Sequence, residues 1–221
     1  MKYRKLICKN DLVDMIKKYK PIELRVFYNM LYCAKEQRNF SVDFKDEEVV
    51  YMDLNKLNGY IGKKHFTEEE LFKIIQGIPK GVFSKNGLNY ISVFDFITCN
   101  EEGEIEFRLN SSFRPMIDDV IKNFTVLELK DLSTLNSIYS QRLFEFASKN
   151  KNLVHYLMPI NDFRAYFQVP KSYSMCNIDQ RIIEPMLKEI NEKTDFTVSI
   201  RKIKKRNRVT HIKFTFKGVV K

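Results

Sequence analysis

The sequence predicts an α+β protein made of two tandem units, each a small helical bundle with a β-hairpin beside it. Three observations carry that reading. A chain of 221 residues amounts to one large domain or two small ones at about 150 residues per domain. The same order of elements, helix, short strand, short helix, longer helix and hairpin, is legible in both halves. Finally, two pairs of period-two runs, 90–98 with 104–109 and 196–203 with 209–216, each flank a turn-forming stretch, which is the signature of a hairpin. An apolar share of 44% with 13% aromatics supports a globular core and excludes disorder across the whole length.

In the first half, residues 11–18 (DLVDMIKK) and 21–35 (PIELRVFYNMLYCAK) read as helices. The second carries Leu24, Phe27, Tyr28, Leu31 and Ala34 at spacings of three and four, and Pro21 suits its first turn. Residues 49–52 form a short apolar run, and 54–61 a short helix closed near Gly62. Residues 67–77 (TEEELFKIIQG) open with Thr67 and, three residues on, Glu70: the spacing of a capping box. Leu71, Ile74 and Ile75 supply that helix's buried stripe. The alternating runs YISVFDFIT (90–98) and EIEFRL (104–109) surround the turn NEEG, and 111–121, with Pro115 near its start, reads as a helix.

A second unit begins after it, so the expected division is 1–121 and 122–221. Residues 124–129 (FTVLEL) are strand-like. Residues 132–149 place Leu132, Leu135, Tyr139, Leu143 and Phe146 on one helical face. A short apolar run (156–158) and a short helix (160–167) lead to a longer helix at 177–193 (NIDQRIIEPMLKEINEK). Two alternating strands follow around KKRNR (204–208). A longer helix seated beside a hairpin wing makes each half a winged helix.

The 177–193 helix separates its faces cleanly. Ile178, Ile182, Ile183, Met186, Leu187 and Ile190 recur at three and four and face a core, while Asn177, Gln180, Arg181, Glu184 and Lys188 point away. A helix fits the major groove of DNA, where Arg pairs with guanine and Asn or Gln with adenine through two hydrogen bonds each. An ordinary solvated face has the same look, and the hairpin that follows decides between them. Residues 196–221 hold nine cations (Arg201, Lys202, Lys204, Lys205, Arg206, Arg208, Lys213, Lys217 and Lys221) and no acid. A solubilising edge needs one or two lysines, and neighbouring like charges repel, so an anionic partner is the simpler reason to keep nine together. The net charge of +10 is therefore local: the first 195 residues carry 29 Lys and Arg against 28 Asp and Glu.

Other chemistry lacks a seat. Cys8, Cys33, Cys99 and Cys176 include no CxxC pair, against both a disulfide framework and a zinc site. His65, His155 and His211 stand apart, without the close pair that a metal-dependent, tyrosine-using nicking enzyme of rolling-circle replication requires. NGYIGKKHF (58–66) lacks the glycine spacing and the Ser or Thr of a phosphate loop, and GxSxG is absent. The expectation is a protein without enzyme activity, metal or cofactor. The N-terminus lacks the apolar run of a signal peptide, and no stretch approaches the 18 apolar residues of a membrane span, so a soluble, cytoplasmic chain is expected.

Four segments carry a family resemblance. The most specific is RIIEPMLKEINEKTDFTVSIRKIKKRNRVTHIKFTF (181–216), followed by FTVLELKDLSTLNSIYSQRLFEF (124–146), DFRAYFQV (162–169) and, more loosely, IELRVFYNML (22–31). They resemble the initiator replication proteins of theta-replicating plasmids, the iteron-binding family of two winged-helix domains. The resemblance implies binding to directly repeated double-stranded origin DNA and opening of the duplex together with the host initiator and the replicative helicase. It also implies a homodimer in equilibrium with monomer, and repression of the protein's own gene. Residues 1–121 would supply dimerisation and an auxiliary DNA contact, and 122–221 the main sequence-specific binding.

Carried onto this chain, Gln180 and Arg181 face the bases with Asn177 and Lys188 flanking, and Arg201, Lys202, Lys204, Lys205, Arg206 and Arg208 contact phosphates. Asp179 departs from the family, standing where members are often basic. The first hairpin turn, NEEGE, is acidic, so auxiliary contacts are expected from Lys63, Lys64 and the helix starting at Thr67. The alternative function is a dimeric winged-helix transcriptional repressor without a role in replication.

Overall fold

The computed structural model describes residues 4–15, 19–40, 49–61, 67–78, 80–83, 90–99, 104–118 and 124–217. The chain divides into two compact units, Met1–Thr134 and Leu135–Lys221. Each is a winged helix with mixed helix and strand content.

The first unit contains strand β1 (Lys5–Lys9), helices α1 (Asn10–Met15) and α2 (Pro21–Phe40), strand β2 (Val50–Asp53), and helices α3 (Leu54–Ile61) and α4 (Glu68–Gly77). Strands β3 (Gly81–Phe83), β4 (Tyr90–Ser92), β5 (Phe94–Cys99) and β6 (Glu104–Leu109) follow, then a 3-10 turn at Arg114–Met116, strand β7 (Phe124–Glu128) and helix α5 (Leu129–Thr134). Leu24, Phe27, Tyr28 and Leu31, the stripe expected on α2, are all fully or nearly fully buried. The Phe94 ring meets Phe27 at 6.1 Å and Phe107 at 5.7 Å between centroids, which fastens α2 to the sheet β2-β6-β5. The capping box is formed: Thr67 Oγ1 accepts from the Glu70 amide at 3.3 Å and Glu70 Oε2 from the Thr67 amide at 3.1 Å. Where α4 ends, a Cβ on Gly77 would lie 2.3 Å from Glu23 Oε1, so any larger residue there would have to push the Glu23 carboxylate of α2 aside.

Three elements differ from expectation. Strand β1 was not foreseen; it pairs antiparallel with β7 from Lys5↔Glu128 to Lys9↔Phe124, with a Lys5–Glu128 salt bridge of 2.8 Å. Because that ladder places 124–128 in the first unit, the boundary between units falls after Thr134 and not at 121/122. The 111–121 helix reduces, among its described residues, to the 3-10 turn, whose amides bond three residues back (Met116 N to Phe113 O, Ile117 N to Arg114 O). Lastly, 90–98 breaks at Val93: β4 turns aside to pair with the unforeseen β3.

The second unit contains helix α6 (Ile138–Asn150), strand β8 (His155–Pro159) and helix α7 (Ile160–Tyr166). A helical run made of α8 (Met175–Ile178), a π turn (Asp179–Ile183) and α9 (Glu184–Lys193) leads into strands β9 (Thr197–Lys205) and β10 (Arg208–Lys217). The sheet order is β8-β10-β9. Its core is aromatic. Phe146 of α6 lies 4.9 Å from Phe214, 5.9 Å from Phe216 and 5.2 Å from Tyr156, and Phe163 and Phe167 of the α7 region stack near Phe214.

The helix expected over 132–149 is interrupted between α5 and α6. Ser137 caps α6 by accepting from the Tyr139 amide, while the amides of Asn136 and Ser137 donate to Glu189 at 2.7 and 3.2 Å. A carboxylate from α9 thus satisfies the helix start. Burial acts to raise the Glu189 pKa, but hydrogen bonds from Lys193 and the two amides outweigh it, and the carboxyl falls to about 2.

A depressed carboxyl pKa contributes stability that is present above the unfolded value and lost as pH falls toward the folded one. Glu189→Gln should therefore lower the melting temperature at neutral pH, by an amount corresponding to about 1 kcal/mol for a missing cap. The gap to wild type should narrow below the ordinary glutamate range and close near pH 2, as read by thermal melts across pH 2–7.

Candidate nucleic-acid interface

The expected recognition helix is present but not uniform. Pro185 has no amide proton to give the Arg181 carbonyl, and its ring would crowd that carbonyl in an α-helical turn. The chain widens instead: the Glu184 amide bonds to Asp179 O, five residues back. One consequence is that the adjacent Ile182 and Ile183 are both buried, along with Ile178, Met186 and Ile190. Another is that the extra residue offsets the helix face by about 100°. Asn177, Gln180 and Arg181 therefore share the entry end of the run, while Lys188 beyond the wide turn is rotated from them. Gln180, Arg181 and Lys188 are exposed, and Asn177 is half-buried with its amide capped by Ser174 Oγ at 3.3 Å.

Two residues that sequence reasoning missed set the posture of Arg181. Its guanidinium lies 5.4 Å over the Tyr173 ring, and Arg164 of α7 donates to the Tyr173 carbonyl at 2.8 Å. Tyr173 belongs to the loop preceding α8, where no periodicity marks it. A cation held over an aromatic face keeps its edge hydrogens free while losing little freedom on binding.

The wing is longer and tighter than expected. Its strands run to Lys205 and start again at Arg208, so the turn is Arg206–Asn207 in place of 204–208, with φ of 47° and 62°. Two consecutive left-handed residues make a type I′ hairpin turn, which Asn tolerates and Arg adopts at a cost of about 1 kcal/mol. A cation is retained at the tip in a conformation that favours glycine.

Register divides the predicted cations between two faces. Arg201 stands opposite Lys213, and Lys202 opposite Ile212, so Arg201 and Lys202 project to opposite sides of the ribbon. Lys202, Lys204, Asn207, Arg208 and Val209 close a groove of about 490 Å³ together with Ile160 and Arg164 of α7 and Met175 at the start of α8. Lys202 also bonds Asp179. Lys205 and Arg206 are exposed at the tip. The structure thus gathers Lys202, Lys204 and Arg208 beside the entry end of the helix, and sends Arg201 with Lys213 to the outer face.

In the first unit, Lys63 and Lys64 lie outside the described residues. The described surface of α4 exposes Glu69, Glu70, Phe72, Lys73 and Gln76, with Glu69 paired to Lys73 at 2.6 Å, a face that does not attract phosphate. Among the described residues, no three His, Cys, Asp or Glu side chains converge as a metal would need. No disulfide joins the four cysteines, and burial pushes the Cys33 thiol up to about 11. No described helix is long and apolar enough to cross a membrane.

Similarity to known proteins follows this architecture. A solved structure described as the Pi initiator protein in complex with iteron DNA superposes with a TM-score of 0.80 at 15% identity, covering 98% of each chain. Domains 2 and 3 of RctB match with a TM-score of 0.56 at 9% identity, over 91% of this chain and 83% of that one. At such identities the likeness establishes the fold. No curated protein sequence matches. The family model described as "Initiator Replication protein, WH1" matches residues 5–148 and that described as "Initiator Rep protein, WH2" matches 159–216. On those two matches, the chain belongs to the initiator replication protein family.

Proposed function

We propose that this protein initiates plasmid replication by binding directly repeated origin DNA through its second winged helix, without catalysing a covalent step. The observation that carries the reading is the acid-free wing set beside the entry end of the recognition run. Phosphates draw the wing cations through counterion release, which binds any sequence, and base edges in the major groove meet Gln180 and Arg181, which select one. The exposed Arg181 suits the paired acceptors of guanine and Gln180 those of adenine, with Asn177 and Lys188 flanking. Arg201, Lys202, Lys204, Lys205, Arg206 and Arg208 remain the phosphate candidates, and the groove side of the wing favours Lys204 and Arg208 for the strand nearest the helix. Lys63 and Lys64 are retained as auxiliary contacts. The solved structure of similar fold with iteron DNA supports double-stranded DNA as the partner.

Opening a duplex needs no active site. Kinking and unstacking cost a few kcal/mol per step, which several protomers on neighbouring repeats can supply from binding energy. The reading includes a homodimer in equilibrium with monomer, the first winged helix carrying dimerisation, autorepression by the dimer, and handover to the host initiator and replicative helicase in the cytoplasm.

Two experiments test it. Replacing Lys204, Lys205 and Arg206 by Gln should weaken binding to all duplexes and flatten the log–log salt dependence by about 0.9 for each phosphate that the wing no longer neutralises. Arg181→Ala should instead cost about 1–3 kcal/mol, mainly on the protected repeats beside the gene. An unchanged salt slope in the wing variant would remove the wing from the interface. For the replication role, a plasmid carrying only this gene and the adjacent repeats should be maintained in a host with an intact initiator and helicase. Repression of the promoter without maintenance would favour the plain repressor.

A further inference from the structure

One acid pairs with a cation of the groove. Asp179, the first residue of the π turn, bonds Lys202 of β9, and the two side chains are only 23% and 35% exposed. Among the described residues, Lys202 is the one wing cation in a salt bridge. Arg164, Lys204 and Arg208 line the same groove without a carboxylate partner. Asp179 also sits between the buried Ile178 and the exposed Gln180 in the chain.

The pair cancels one of the groove's cations, so a phosphate that takes Lys202 must first displace Asp179. That competition acts on the DNA backbone, which is common to every sequence, and does not depend on which base lies in the major groove.

We infer that Asp179 is an electrostatic brake on the DNA-binding surface, acting through Lys202 to hold backbone affinity below what the wing's cations would otherwise give. The inference rests on the DNA-binding reading above.

The test uses the full chain and a random-sequence duplex of about 30 base pairs, titrated across a salt series. Asp179→Asn should bind roughly three- to tenfold tighter near physiological salt, with a slope steeper by about 0.9, the increment for one more neutralised phosphate. In a Lys202→Ala background the same substitution should gain less than twofold. If Asp179→Asn binds no more tightly than wild type while melting normally, the pair only staples helix to wing and the inference is overturned. If the gain survives intact without Lys202, the route through Lys202 is wrong. Should the Asn variant melt early, Asp179→Ser is read by the same criteria. Wild-type protein showing no salt-dependent binding to any duplex would instead defeat the DNA-binding reading itself, an outcome visible before any variant is made.

Discussion

Phe146 sits against Phe214 and Phe216, and the cationic hairpin of the second unit depends on that packing. A two-stranded ribbon carrying this many like charges is not stable alone in water, because hairpins are marginal and cross-strand cations repel. Here the base of the ribbon is an ordinary core strand pair. Val198, Phe214 and Phe216 are buried, and β10 is hydrogen-bonded on both sides, by β8 and β9. Burying two phenylalanines contributes several kcal/mol, well above the few tenths that each repelling pair removes. The apolar base therefore lets the distal half hold its cations in register, and the charge can be placed for binding.

The two winged helices share a scaffold and differ in what they present. In the first unit, α4, which precedes that unit's strands as the 175–193 run precedes β9, carries Glu69 and Glu70 outward with the half-exposed Phe72. In the second, Gln180, Arg181 and the wing cations are outward, and Asp179 is paired with Lys202. The same topology serves opposite electrostatics, because surface charge is almost independent of the buried pattern that specifies the fold.

Much of the architecture was legible in the sequence, and the reasons are local. Thr67 and Glu70 form the capping box that their spacing announces, α3 spans the expected 54–61, and both hairpins follow period-two runs. What was not legible depends on distant partners. Lys5–Lys9 is too short a strand to recognise without β7, more than a hundred residues on, and that pairing also moves the boundary between units. The break before α6 rests on Glu189, about fifty residues later. The candidate site divides in the same way. Its charge and its helix face could be read directly, whereas the support from Tyr173 and Arg164 and the pairing of Asp179 with Lys202 come from the fold. Pro185 was a visible signal of the π turn, but only the structure shows that the chain widens there and does not kink or stop.

DNA contact concentrated on one helix end and one hairpin of a nearly neutral body should leave a matching footprint in amide hydrogen exchange of the full chain, measured with and without a duplex taken from beside its own gene. Slowed exchange is expected over residues 173–184 and 201–210, with the sheet face around Leu157 and Lys213 unchanged. Protection confined to residues 1–134, or absent from the hairpin, would place the DNA elsewhere.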